Sequence, residues 1–380
     1  MATDPLVTAG VVPPSSDTYY RDRYWNEAPG VDMYLQRRAT GDPFMDWITH
    51  VRSWHGRPFR KALVLNCGNG WVEQMLVDRG VVAEAVGIDI GADLLAEAER
   101  AAAGRPIRYY RLDVNTGALP EDGYDLVVNH AAGHHIAYVD RVFRAVADIL
   151  TDDGVLVSWD YVGPHRNQYP GDIWEAAHRV NMLLPTELQS PMNYPWLPVM
   201  LQEDPTEAIH SELVLAVMRR YFSLDYERAL GGAIAYVLLT PNPAFLDAPP
   251  EVTAPWAELI LAEDATFTDA DPSRSLFVYA IARPCKSVLA DTTQLAAWAA
   301  EEDERERRGA ESGGRYYPPT AIAETLDRSV INTLSLIRPG RAWRVAMAST
   351  TRSLGRRLPA SMRRRLWRVP GAKAAWRRLA

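Results

Sequence analysis

Cysteine is nearly absent: the 380 residues hold two, Cys67 and Cys285. Two thiols in a chain this long make no disulfide framework, so the fold must rest on buried apolar surface, and a reducing, cytoplasmic setting is expected. Long apolar runs are missing as well. No stretch reaches the roughly 18 residues of a membrane-spanning helix, and the first residues show no signal-like apolar core, so neither a span nor export is expected. No internal repeat is present, which excludes solenoids and propellers. One absence is local: from Arg338 to Ala380 there is no acidic residue.

That same segment carries 13 of the 41 Lys and Arg residues, which leaves 28 bases against 48 acids, a formal charge of −20, on the rest of the chain. Its apolar residues fall at helical spacing (Leu354, Leu358, Met362 and Leu366, then Ala372, Ala375, Trp376 and Leu379), with Pro359 and Pro370 as breaks. Basic amphipathic helices with Trp at the apolar edge suit an anionic membrane surface, at about 1 kcal/mol per basic residue near the headgroups. Docking on the acidic body of the same or a sister subunit and a nucleic-acid arm are the alternative readings. The membrane surface is the one adopted, and no nucleic-acid partner is expected.

The most informative stretch is Leu63-Val64-Leu65-Asn66-Cys67-Gly68-Asn69-Gly70-Trp71-Val72. An apolar run ends in a glycine turn, and a helical pattern follows through Val72, Met75 and Leu76 to Gly80. Glycines allow close backbone approach to a ligand, and a helix N-terminus offers free N–H groups. A second apolar run, Ala85 to Ile88, ends in Asp89, nineteen residues past Gly70 and placed for a ribose diol. Further strands are expected at Ile107 to Asn115 with Asp113 at the end, Tyr124 to His130, and Val155 to Asp160. A helix is expected at Val142 to Leu150, followed by a Thr-Asp-Asp-Gly turn. Phe222 to Arg228 and Ser275 to Ile281 read as strands six and seven. The expected fold is a doubly wound α/β sheet of seven strands, mostly parallel, with helical insertions and the basic helical tail.

On these residues the chain resembles the class I S-adenosylmethionine-dependent methyltransferases. The resemblance implies that the glycine loop (Asn66, Gly68, Asn69, Gly70) holds the methionine part of S-adenosylmethionine, Asp89 with Ile90 the ribose, and Asp113 with Val114 the adenine. Asn129 and Tyr24 complete the implied cofactor set. A dinucleotide oxidoreductase would show G-x-G-x-x-G, but position 73 is Glu. The chain also departs from the family, with Val64 where an acid is usual and Asn66 for the first glycine. A narrower resemblance, to methyltransferases of bacterial polysaccharide and glycolipid clusters, rests on Gly41-Asp42, Asp160 to Gln168, Glu207 to Ser211 and Gly231-Gly232.

A sugar hydroxyl is a weak nucleophile and needs a base as its proton leaves, a role suited to histidine. His130, His134, His135 and His165 all follow strands four and five, at the sheet's carboxyl edge. The His-His pair resembles that of sugar O-methyltransferases acting on antibiotics. This likeness implies His134 or His135 as base, with Asp160 orienting it. His130 is a further catalytic candidate, with pocket closure as its plainer reading. Tyr161, His165 and Arg166 are candidates for binding the acceptor, or a structural corner with an exposed arginine. Glu207 and Ser211, four apart, are read on one helix face, with a shared role or a cap as alternatives. No metal is expected.

The organisation expected is a disordered segment 1–17, a helical cap 18–60 with Tyr19, Tyr20, Tyr24, Trp25 and Tyr34 and an amphipathic helix around Phe44 to Trp54, and a methyltransferase domain 61–285 with a helical insertion at 165–221 (helices Ile173 to Leu184 and Pro205 to Tyr221). A linker with a charged helix (286–337) and the tail 338–380 follow. The function expected is O-methyl transfer to a saccharide or lipid-linked glycan, at the cytoplasmic membrane face. A polyketide or amine methyltransferase and a non-catalytic cofactor-binding scaffold are the alternatives, and the oligomeric state, a homo-oligomer included, is left open.

Overall fold

The computed structural model describes residues 24–326, apart from Pro241, and Arg328. The chain divides into a unit ending at Thr320 and a second beginning at Ala321, whose described residues start with a helical stretch at 321–326. The segment 1–17, Tyr19 and Tyr20 of the aromatic cluster, and the basic tail 338–380 lie outside the described residues. No described helix is long and apolar enough to cross a membrane.

Seven described strands form one sheet: β1 (Phe59–Leu65), β2 (Val82–Asp89), β3 (Ile107–Arg111), β4 (Tyr124–His130), β5 (Leu150–Tyr161), β6 (Phe222–Gly231) and β7 (Phe277–Pro284). Their order is β3-β2-β1-β4-β5-β7-β6, parallel from β3 to β5, with β7 antiparallel to both β5 and β6. The central strands are apolar almost throughout because both faces are covered. Val64, Leu126, Val128 and Val157 face one core cluster, while their neighbours Leu63, Leu65, Val127 and Leu156 face the other. The strand order reverses beside β1, so the crevice for a ligand opens at the carboxyl ends of β1, β2, β4 and β5.

The main helices are α1 (Val31–Thr40), α2 (Trp47–His55), α3 (Trp71–Asp78), α4 (Ala92–Ala101), α5 (Val139–Ile149), α6 (Gly171–Asn181), α7 (Ser211–Tyr221), α8 (Pro250–Ala270) and α9 (Thr292–Glu311). Asp46 starts α2 by accepting the Thr49 N–H at 3.0 Å, so Phe44, expected inside that helix, precedes it and is 84% exposed. The expected Thr151–Gly154 turn is the exposed head of β5, where Leu150 already pairs with Tyr124 before the register shifts. The helix expected from Pro205 to Tyr221 begins only at Ser211, since residues 204–210 form a turn closed by the Asp204 side chain on the N–H groups of Thr206 and Glu207.

The segment expected as a linker from residue 286 is packed into the first unit. Glu302 of α9 is 2% exposed and caps α5, accepting the N–H of Asp140 at 2.7 Å and of Arg141 at 3.1 Å. A carboxylate at a helix N-terminus satisfies otherwise unpaired donors and meets the positive end of the helix dipole. Asp140 in turn accepts from Arg220 and from the Tyr221 hydroxyl, which fastens α7 to the same point.

Candidate active site

The loop between β1 and α3 has the backbone the sequence implies, with Asn66, Gly68 and Gly70 at φ of 44°, 57° and 77°. Asp89, at the end of β2, accepts the Gly68 N–H at 2.9 Å on one oxygen and the Gly91 N–H at 2.7 Å on the other. One carboxylate therefore shapes the glycine loop and the entry to α4. A carboxylate offers about four lone-pair directions, so Asp89 keeps capacity for two ribose hydroxyls. Asp113 is folded into its own turn, Oδ1 accepting from the Asn115 N–H at 2.9 Å and side-chain amide at 3.1 Å. Val114 is buried and Ile90 partly so, the surroundings expected around an adenosine. Asn66 donates its side-chain amide to the Ala132 carbonyl at 3.3 Å, which links the glycine loop to the loop after β4. Two acids at adjacent strand ends, left-handed glycines and the unbonded first N–H groups of α3 fit S-adenosylmethionine.

Glu73 in the first turn of α3 is wholly buried, and burial pushes its carboxyl up to about 8. Burial likewise raises the Cys67 thiol, with Glu73 adding to the effect, so this cysteine is held in its unreactive form. Tyr24 begins the first described turn and is 45% exposed.

The loop after β4 brings the catalytic candidates together. His134 Nδ1–H donates to Asp160 Oδ1 at 2.6 Å, and the imidazole is 8% exposed. Asp160 also accepts the Tyr161 N–H at 2.8 Å and, on its other oxygen, the Asn129 amide at 2.9 Å. Asn129, expected at the cofactor, thus gives its amide donors to Asp160 and Ser158 and braces the acid. Gly133 is required here, because a Cβ would lie 2.5 Å from Asp160 Oδ2. Burial by itself would lower the His134 pKa, but the charge and hydrogen bond of Asp160 outweigh it and carry the imidazole to about 9. His135, its ring 4.1 Å from that of His134, is shifted down by burial and by His134.

Glu207 closes this group from the turn before α7. Its Oε2 lies 3.8 Å from Nε2 of both His134 and His135. The three side chains could also share a cation, since one ligand atom from each lies within 4.8 Å of the others. The turn is tied directly to the histidine, the Ile209 N–H donating to the His134 carbonyl at 3.0 Å. Glu207 and Ser211 share no helix face: Glu207 precedes the helix, and the Ser211 hydroxyl donates to the Gly163 carbonyl at 2.8 Å. No spacing rule joins Glu207 to His134, 73 positions apart in the chain, so its nearness could come only from the fold.

Other candidates stand elsewhere. His130 is wedged between Trp47 (ring centroids 5.3 Å) and Trp71 (5.0 Å), and burial lowers it to about 4. Arg166 is not the exposed arginine of the plainer reading. It is 2% exposed at φ 52°, and it donates to the Glu207 carbonyl at 3.1 Å, so it carries the turn that presents Glu207. His165 Nδ1–H donates to the Ile209 carbonyl at 2.6 Å, making it a second brace of the same turn. Tyr161 is buried, its ring edge-on to His134 at 6.0 Å between centroids.

The chain is similar over residues 63–158 to the family described as a methyltransferase domain. An uncharacterized methyltransferase of Mycobacterium tuberculosis is 32% identical over 103 residues, which is 27% of this chain and 51% of that protein. The uncharacterized methyltransferase YcgJ of Bacillus subtilis is 27% identical over 104 residues, 27% of this chain and 41% of its own. The chain thus spans about half the length, or less, of the curated relatives it matches. An S-adenosylmethionine-dependent methyltransferase from Mesorhizobium loti, solved as a crystal structure, is 21% identical, covers 60% of this chain and 91% of its own, and has a TM-score of 0.38.

Two changes test the cofactor site. Asp89→Ala should weaken S-adenosylmethionine binding by about 1.5–3 kcal/mol, the scale of hydrogen bonds to a charged group. Gly68→Val should abolish it, because a β-branched residue is strained at φ 57° and would crowd the ligand. Calorimetry that finds near-normal affinity in both variants would remove the assignment. Residues 63–158 thus match the methyltransferase-domain family, and the residues of the site fit S-adenosylmethionine as the cofactor.

Proposed function

We propose that the chain is an O-methyltransferase acting on a saccharide hydroxyl, lipid-linked glycans included, with His134 as the general base. The observation that carries this reading is the buried Asp160–His134 pair, 2.6 Å apart, at the carboxyl edge of the sheet beside the cofactor loop. S-adenosylmethionine supplies an electrophilic methyl on a sulfonium, so transfer is an in-line displacement that depends on alignment. Asp160 fixes the imidazole with its Nδ1–H inward, which turns Nε2 toward Glu207. In its neutral form Nε2 takes the hydroxyl proton as the oxygen attacks, and Asp160 steadies the imidazolium that results. An amine, already nucleophilic once neutral, would not need this pair. Glu207 supplies a carboxylate able to accept from a second hydroxyl, which suits a polyol. The likeness of Asp160 to Gln168 and Gly231-Gly232 to methyltransferases of polysaccharide clusters supports the same acceptor class.

The deciding experiment is transfer of labelled methyl to glycan and glycolipid extracts of the source organism, run beside polyketide and amine panels. Labelled, alkali-stable ethers on sugar are expected. Label only on amines or polyketides would overturn the saccharide, and transfer to nothing would favour a cofactor-binding scaffold.

The tail 338–380 is proposed to hold the enzyme at an anionic membrane on the cytoplasmic side, on its charge and apolar spacing. The full chain should bind vesicles containing anionic lipid, ignore neutral ones, and release as salt screens charge over about 8–10 Å. A chain ending at Pro339 should lose binding yet keep its melting point. A large fall in that melting point, with no vesicle binding by the full chain, would instead support docking of the tail on the acidic body.

A further inference from the structure

A second histidine cluster lies beside this site and is used by none of the chemistry above. His165 leaves β5 in a short 3-10 turn (His165–Asn167), His210 is the N-cap of α7 and Glu212 sits in that helix's first turn. Sequence separates them by 45 and 2 positions, yet one ligand atom from each lies within 4.8 Å of the others. Each imidazole has one nitrogen already fixed. His165 Nδ1–H donates to the Ile209 carbonyl at 2.6 Å, and His210 Nε2–H donates to Glu306 Oε1 at 2.6 Å. The opposite nitrogens, His165 Nε2 and His210 Nδ1, are buried with no hydrogen-bond partner. The Glu212 carboxylate beside them is buried too; the Tyr317 hydroxyl donates to it, and its remaining lone pairs meet no other donor among the described residues.

Buried acceptors are rarely left unpaired, and two such imidazole nitrogens gathered beside one carboxylate call for a common partner. Histidines whose far nitrogen is held by a carbonyl or a carboxylate are in the arrangement metal-ligating imidazoles take, with the near lone pair aimed at the ion. Two imidazoles and one carboxylate are a donor set for zinc and similar divalent transition cations, with a position left for water. We infer that His165, His210 and Glu212 bind a divalent transition cation of the zinc class.

The ion staples the exit of β5 to the start of α7 and, through Glu306, to α9. His210 has no exposed surface, so the site acts on structure and not on substrate. Between its ligands the chain carries Arg166 and Glu207, so an ion here would fix the turn that presents Glu207 to His134. The guanidinium groups of Arg166 and Arg305 act on His210 against Glu306, and Arg305 acts on Glu212 as well. That balance makes an anion the competing occupant, and inorganic phosphate enters the test for that reason.

The experiment uses the full chain, free of any histidine tag, stripped with chelator and titrated with Co²⁺ and with Zn²⁺. One equivalent of Co²⁺ should develop visible d–d absorption beyond that of the aqua ion. Zn²⁺ at about a hundredfold over Kd should raise the melting point by roughly 4–8 °C. Glu212→Gln and His165→Asn should lose both signals, each variant's melting shift being read against its own melt in EDTA, whereas Glu207→Gln should keep them. No absorption and no melting shift in the wild type would overturn the site without recourse to any variant. Signals lost in Glu207→Gln but kept in Glu212→Gln would overturn it by placing the ion on His134, His135 and Glu207. Stabilisation by phosphate alone, abolished by Arg305→Met, would overturn it in favour of an anion.

Discussion

His134→Ala should lower turnover by about 10²–10⁴-fold while S-adenosylmethionine affinity stays almost unchanged. The size follows from the role: losing a positioned base removes proton transfer from the transition state but leaves the glycine loop and Asp89 intact. His135→Ala is expected to keep more than about a tenth of the rate, because Asp160 grips His134 and not its neighbour. Asp160→Asn should also be slow, since the imidazole loses the acceptor that sets its tautomer and its high pKa. If His134→Ala kept more than about a tenth of the rate, catalysis would rest on alignment alone and an amine acceptor would gain support. The pH dependence provides an independent check. With Asp160 holding the folded pKa at about 9, His134 is protonated at neutral pH in the free enzyme. As a base it works only when neutral, so kcat/KM should climb with pH and level off near 9, and the climb should vanish in His134→Ala. Stability runs the opposite way. A folded pKa above the ordinary value of about 6.5 gives stability that is complete below that pH and is lost as pH rises through about 9.

Most of the sheet could be read from the sequence because its central strands are local, apolar and punctuated by glycine and acid. β1, β2 and β4 begin and end within a few residues of expectation, and the place of Asp89 at the tip of β2 follows from that phase. The His134–Asp160 pair was implied by the resemblance, and the topology agrees with it, since His134 follows the end of β4 and Asp160 lies near the end of the adjacent parallel β5. What stayed hidden depends on contacts distant in sequence. Glu207 reaches His134 only because Arg166 and His165, candidates for acceptor binding or for a structural corner, hold the backbone of its turn. Asn129 sits where a cofactor contact was expected, but its amide is directed sideways along the sheet to Asp160. Helix α8 went unrecognised because its buried face runs Thr253, Ala257, Ile260, Leu261, Asp264 and Thr268, whose polar members break the apolar periodicity, and because Pro255 stands within the helix on its exposed side. The charge-rich α9 looked like a solvated linker helix for a related reason: Glu302, its strongest tie to the body, is an acid buried at another helix's N-terminus.

Asp264→Ala should cost about 3–5 kcal/mol of stability and leave cofactor affinity, in what remains folded, near normal. Asp264 has no exposed surface, yet it carries no basic partner in hydrogen-bond contact. Its role is to collect donors. Oδ2 accepts the Gly232 N–H at 2.8 Å and the Tyr34 hydroxyl at 2.7 Å, while Oδ1 accepts the N–H groups of Ile234 at 2.7 Å and Ala235 at 3.1 Å. One carboxylate thus joins α1, the turn after β6 and α8, three segments drawn from opposite ends of the domain. The Gly231-Gly232 pair belongs to the same device. Both residues have φ near 90°, and a Cβ on Gly231 would lie 2.4 Å from the Asp264 carboxylate, so the turn can wrap the acid only as glycine. Alanine at 264 would leave three buried N–H groups and a phenol unpaired and open a cavity at their meeting point, which is why the expected loss exceeds that of one hydrogen bond. Asp264→Asn keeps one acceptor oxygen but sets an amide N–H₂ against donors, so its midpoint should fall between alanine and wild type. Urea unfolding of the three proteins makes the comparison. If Asp264→Ala unfolded at the wild-type midpoint, the donors would have found other acceptors, and the joint between α1 and α8 would rest on its apolar contacts and the Arg38–Asp269 ion pair.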